Sequence, residues 1–85
     1  MNETDEIVMY GADWCGDCRR SQRLMDARAV RYRSIDVEHD AEAREEARRL
    51  GGSTKIPVIV MPDGSVLVEP TDPELATRLD ELAVR

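Results

Sequence analysis

The sequence predicts an α/β fold: a four-stranded mixed sheet flanked by three helices, in the order βαβαββα. Short apolar runs of strand length alternate with longer segments of helical periodicity. The last two runs are joined by Pro62-Asp63-Gly64, whose Asp-Gly step supplies the positive φ angles that hairpin turns need. The chain has 85 residues and no internal repeat, low-complexity stretch or linker, so residues 1–85 read as a single domain around one modest core.

Residues Ile7 to Gly11, "IVMYG", form a continuous apolar run, as expected of a strand buried on both faces. From Gly16 to Ala29, helical spacing places Cys18, Ser21, Met25 and Arg28 on one face, with Leu24 beside it. Val30 to Val37 reads as a strand with Val30, Tyr32 and Ser34 on one face, but its phase slips near Ser34 before Ile35 and Val37. Asp40 can cap a helix that runs to Leu50, with Glu42 in its first turn, Arg48 and Arg49 in its last and Gly51 just beyond. Ala43, Ala47 and Leu50 are its narrow inner stripe. Val58 to Met61 and Ser65 to Glu69 are the hairpin strands. The last helix starts either at Thr71 with Glu74, or at Asp72 with Pro73 in the first helical position; Leu75, Leu79 and Leu82 share its inner face. The two strands joined through a helix are expected to be parallel with a right-handed crossover, and the hairpin strands antiparallel, which makes the sheet mixed.

Composition removes several functions. A net charge of -6 argues against nucleic acid, because phosphate binding needs a cationic surface. The acidic stretch Met1 to Glu6 is the opposite of a basic export leader, and the longest apolar run, Ile56 to Met61, contains a proline and is far too short to cross a bilayer. A soluble, cytoplasmic, monomeric protein with no membrane partner is the expectation.

Cys15 and Cys18 are the only cysteines, and they sit two residues apart in "WCGDCRR". A bridge between them closes almost no loop, so a structural staple is disfavoured. Zinc needs four ligands, and this chain has no second CxxC and only one histidine, His39, which reads as a polar loop residue, so no metal site is expected. A redox dithiol remains. Cys15 lies in the turn between a buried strand and a helix, where the unpaired amides of Asp17 and Cys18 can donate to its sulfur and favour thiolate. Cys18, one helical turn on and facing inward, is then the shielded resolving thiol.

These residues resemble the glutaredoxin family, and most closely the actinobacterial mycoredoxins. The resemblance rests on "WCGDCRR" after the first strand, "DVEHD" closing the second, the loop "GGSTKIPV", the hairpin "PDGSVL" and the capped final helix. It implies the thioredoxin fold and a cis Ile56-Pro57 bond that sets the Ile56 backbone beside Cys15, ready to pair with an extended substrate. It also implies thiol-disulfide oxidoreductase activity on mixed disulfides between proteins and a low-molecular-weight thiol, with no bound cofactor. Glutathione-using members carry a basic residue before the nucleophile and a Gly-Gly-x-Asp-type turn for the tripeptide's charged ends. This chain instead has Gly11-Ala12-Asp13 and Asp63-Gly64-Ser65, which favours mycothiol over glutathione as co-substrate.

Substrate contacts are therefore expected from Trp14, which can cover the nucleophile with an apolar lid, and from Lys55, Ile56, Pro57, Asp63, Gly64 and Ser65. Gly16, Asp17 and Arg19 are expected to tune the dithiol: Gly16 leaves the turn less rigid than proline would, while Arg19 and Arg20 offset the charge of Asp17. Two other functions compete. One is a thioredoxin-like protein-disulfide reductase, or ribonucleotide-reductase electron donor, recharged by a flavin-dependent reductase. The other is a module that holds an iron-sulfur cluster between two subunits, which glutaredoxin-like chains with glycine in this turn can do.

Overall fold

The computed structural model describes residues 6–82; the acidic stretch expected at residues 1–5 lies outside them. The elements are β1 (Ile7–Gly11), α1 (Gly16–Ala27), β2 (Tyr32–Asp36), α2 (Ala41–Gly51), β3 (Val58–Val60), β4 (Val66–Val68) and α3 (Asp72–Glu81), in the expected βαβαββα order. The sheet order is β2-β1-β3-β4. β1 and β2 are parallel, whereas β1 with β3 and β3 with β4 are antiparallel.

The larger core lies on one face of the sheet, where Ile7, Met9 and Ile59 meet Met25 of α1 and Leu75 and Leu79 of α3. Each of these side chains is at most 1% exposed, and fully burying one stabilises the fold by about 1.5–3 kcal/mol. On the other face α2 packs Ala47 against Val58 and Val37. That helix offers mostly alanine, so it only half covers its side of β1: Val8 and Tyr10 keep partial exposure where burial on both faces was expected.

The phase slip in the second strand has a physical origin. Val30 belongs to the larger core and Val37 to the smaller one, seven residues apart and therefore on opposite faces. β2 is an edge strand shorter than its sequence pattern, with Ser34 exposed. α1 also ends early, at Ala27, because Ala29 takes a left-handed φ of 57°. The amide of Val30 then reaches Met25 O at 2.9 Å and that of Ala29 reaches Asp26 O at 3.0 Å, a Schellman closure with alanine in the position where glycine is usual. No sequence signal marked it. At the end of α2 the boundary moves the other way: Gly51 belongs to the helix and Gly52, at φ 78°, is the left-handed cap. α3 settles its two possible starts in favour of Thr71, whose hydroxyl accepts from the Glu74 amide while the Glu74 carboxylate accepts from the Thr71 amide.

Candidate active site

β1 ends at Gly11, and the chain turns through residues 12–14 so that Cys15 becomes the N-cap of α1. Its amide donates to Ala12 O at 3.1 Å, which closes the turn. Its sulfur accepts the amide of Cys18 at 3.1 Å. An N-cap position usually takes an oxygen acceptor; here a sulfur receives the orphan donor, and a hydrogen bond of that kind stabilises negative charge on it. The expected second donor, the Asp17 amide, makes no such bond. The Cys15 thiol also lies 3.9 Å from the carbonyl oxygen of Ile56, to which it can donate.

Cys18 is 1% exposed and Cys15 6%. Burial pushes the Cys18 thiol up to about 12, and the neighbouring Cys15 sulfur adds to the effect. Cys18 therefore keeps its proton at neutral pH. Room for its sulfur comes from Gly11, a residue that the sequence reading overlooked. A Cβ built on Gly11 would lie 2.7 Å from Cys18 Sγ and 3.2 Å from its Cβ, so the strand needs glycine at the point where the helix crosses closest. A glycine closing an apolar strand just before CxxC was the available signal.

The structure brings Trp14, Gly16, Asp17, Lys55 and Ile56 together with Cys15 around one open cleft of about 420 Å³, along with Thr54 and Glu69. The Ile56-Pro57 bond is cis, and Pro57 is buried directly behind it. Trp14 is 65% exposed, so it is neither packed into the core nor closed over the sulfur; its Nε1 donates to Glu38 Oε1 at 2.8 Å, which holds the ring at the rim. A Cβ on Gly16 would meet nothing within 4 Å, so this position faces open space.

Two expected assignments change. Arg19 does not reach Asp17: its Nη1 donates to the carbonyl oxygen of Asp13 at 2.6 Å and braces the turn. Arg20 is the counterion, with Nη1 2.7 Å from Asp17 Oδ1, Nε 3.2 Å from Asp72 Oδ1 and Nη2 3.0 Å from Pro70 O. It reaches Asp17 because residues three apart share a helix face, and through Asp72 and Pro70 it ties the CxxC helix to the start of α3. The second change concerns Asp63, Gly64 and Ser65. They form the β3–β4 turn, where the Asp63 carboxylate accepts the Ser65 amide at 2.9 Å and Arg78 reaches the Ser65 hydroxyl at 2.6 Å. β3 leaves Pro57 and runs away from Cys15, so this turn sits at the opposite end of the sheet and contributes nothing to the cleft. The connection that returns to Cys15 is the one after β4, beginning with Glu69, whose amide donates to Pro57 O at 2.9 Å.

His39 stays a loop residue: its Nδ1 lies 2.8 Å from Asp36 Oδ2, which raises the imidazole's proton affinity and lowers that of the carboxyl. Among the described residues no three His, Cys, Asp or Glu side chains cluster as a metal site, and no helix is long and apolar enough to cross a membrane.

Comparison with known proteins agrees with this geometry. The glutaredoxin family model matches residues 7–66. A Mycobacterium tuberculosis (strain H37Rv) relative named for the glutaredoxins is 31% identical over 81 residues, covering 94% of this chain and 96% of its own. The glutaredoxin of Archaeoglobus fulgidus superposes with a TM-score of 0.73 at 24% identity, covering 94% of this chain and 87% of its own. Buckwheat glutaredoxin, solved with glutathione, gives 0.68 at 20% identity, over 91% of this chain and 78% of its own. The fold is thus the thioredoxin fold, as the resemblance implied. With the family model running from β1 through the dithiol turn to the start of β4, this chain belongs to the glutaredoxin family and is a thiol-disulfide oxidoreductase.

Proposed function

We propose that this glutaredoxin releases a low-molecular-weight thiol from proteins, with Cys15 as nucleophile, Cys18 as resolving thiol and mycothiol as the preferred co-substrate. One observation carries the division of labour: Cys15 caps α1 and accepts the Cys18 amide at 3.1 Å, whereas Cys18 is buried and protonated up to about pH 12. The Cys15 thiolate attacks the sulfur of the small thiol in a protein mixed disulfide. A new bond forms between Cys15 and that sulfur, and the protein's cysteine leaves as thiolate and takes up a proton. A second small thiolate then attacks the same sulfur, releasing a small-molecule disulfide and regenerating Cys15. Overall one free small thiol is consumed, and the small-molecule disulfide carries its sulfur together with the one removed from the protein. In the dithiol route Cys18 attacks Cys15 instead, giving the Cys15–Cys18 disulfide and a free small thiol.

The Ile56 carbonyl beside Cys15 suits an extended substrate backbone, and exposed Trp14 offers an apolar edge to it. Lys55 and Thr54 line the same cleft and extend into a neighbouring apolar cavity of about 170 Å³ with Trp14 and Val37. Mycothiol rather than glutathione fits a cleft that lacks a cation before the nucleophile and has an acidic residue in its wall. The protein works in this reading as a cytoplasmic monomer without a bound cofactor.

The test offers reduced protein a glutathione mixed disulfide, a mycothiol mixed disulfide and a plain protein disulfide coupled to a flavin-dependent reductase. Turnover is expected to be fastest with mycothiol, and Cys18→Ser should retain it, because an external thiol resolves the intermediate. Equal loss in Cys15→Ser and Cys18→Ser would remove the monothiol step. Turnover confined to the protein disulfide would instead make the chain a thioredoxin-like reductase.

A further inference from the structure

We propose that Glu69 sets thiol specificity in this cleft, disfavouring any small thiol that carries carboxylates on both sides of its sulfur. The inference rests on the low-molecular-weight-thiol reading above. Glu69 is exposed, takes a left-handed φ of 48° and is pinned by its amide to Pro57 O at 2.9 Å, so its backbone is held beside the cis-proline turn. A non-glycine residue in that conformation costs about 1–2 kcal/mol, which would be avoided by glycine. Its carboxylate makes no hydrogen bond or ion pair among the described residues.

The other charges of the cleft are arranged around it. Asp17 is neutralised by Arg20 at 2.7 Å, which leaves Glu69 as the uncompensated acid in the wall. Lys55 is the wall's cation. The wall of the cleft therefore offers one cation, Lys55, and one uncompensated carboxylate, Glu69. A thiol joined to Cys15 lies in this cleft, within reach of both charges. Where only one arm is anionic it can turn toward Lys55. Glutathione has a carboxylate at each end, so Lys55 can pair with only one of them and the other is left to the repulsion of Glu69. A thiol with an uncharged or cationic arm meets no such repulsion.

The experiment compares two mixed disulfides on one peptide, formed with glutathione and with glutathione diethyl ester, in which both carboxylates are masked. Like charges a few ångströms apart at a partly screened site change affinity by about three- to tenfold. Wild-type kcat/KM should favour the ester by that factor, with KM carrying the difference and added salt shrinking it. Glu69→Gln should bring the ratio to within about twofold, and Glu69→Gly, which suits the left-handed backbone, should do the same if the glutamine variant folds poorly. A ratio that stays at the wild-type value in both variants would overturn the role of Glu69 while leaving the thiol-transfer reading intact. No turnover of either disulfide by wild-type protein would instead defeat the thiol-transfer reading itself.

Discussion

Two connections leave the outer edge of the sheet, and they end in different places. The β3–β4 turn at residues 61–65 carries the strongest turn signature in the chain, Pro62-Asp63-Gly64, with Gly64 at φ 89°. The β4–α3 connection, Glu69 and Pro70 before the Thr71 cap, has no glycine, yet its Glu69 also adopts positive φ. Only the second reaches Cys15. Turn chemistry reports where a chain reverses; it says nothing about which end of the sheet the reversal occupies, because that depends on how many strands have been laid down before it.

The largest expected effect separates the two ends by activity. Cys15→Ser should lower turnover of every disulfide by about a thousandfold or more, since no other thiolate is presented at the cleft. Asp63→Asn and Ser65→Ala should stay within about twofold of wild type once corrected for folded fraction. A tenfold loss in either hairpin variant would show that the far turn contacts substrate after all.

Within the active end, the two sulfurs should differ in their response to pH. Cys18 holds its proton more tightly than a free thiol, so its thiolate fraction grows only as pH climbs toward about 12. Iodoacetamide at pH 7–8 should therefore label Cys15 alone, and labelling of Cys18 should keep rising about tenfold per pH unit beyond pH 9. The same proton linkage destabilises the reduced fold as pH rises from about 9 to 12, because the unfolded chain releases the Cys18 proton first. Simultaneous labelling of both cysteines at neutral pH would contradict the burial argument.

Glycines at the two ends sharpen the contrast in a smaller measure. Gly11→Ala forces a methyl to 2.7 Å from Cys18 Sγ and should cost about 1–3 kcal/mol in urea unfolding, together with slower closure of the Cys15–Cys18 bond. Gly64→Ala, strained at φ 89° but in open space, should cost about 1–2 kcal/mol with no change in the dithiol. If both variants altered disulfide closure equally, the close approach at Gly11 would not be specific.

The smallest effect belongs to Asp17. Its charge opposes the thiolate-bearing reduced state, so Asp17→Asn should raise the redox potential, making the disulfide more oxidising. Arg20 already neutralises it at 2.7 Å, which limits the rise to about 5–10 mV, well under the roughly 30 mV that marks a tenfold change for two electrons. In an Arg20→Met background the same substitution should move the potential further. A downward shift would mean that Asp17 acts through its place in the first helical turn.

By itself the sequence determined the element order, the strand-turn-helix placement of Cys15, the inward position of Cys18 and the caps at Asp40 and Thr71. These are local properties, written in periodicities of two and 3.6 residues and in side chains that bond to backbone within one turn. Tertiary structure alone decided the assignment of Val30 and Val37, which flank β2, to two different cores, the left-handed turn at Glu69, and the space that Gly11 leaves for a sulfur. It also decided that Arg20, not Arg19, pairs with Asp17 and anchors Asp72 fifty-two residues on. The contacts of Arg20 with Asp72 and of Glu69 with Pro57 join segments remote in sequence, and their partners are chosen by the strand order β2-β1-β3-β4, which also sends Asp63 to the far end of the sheet.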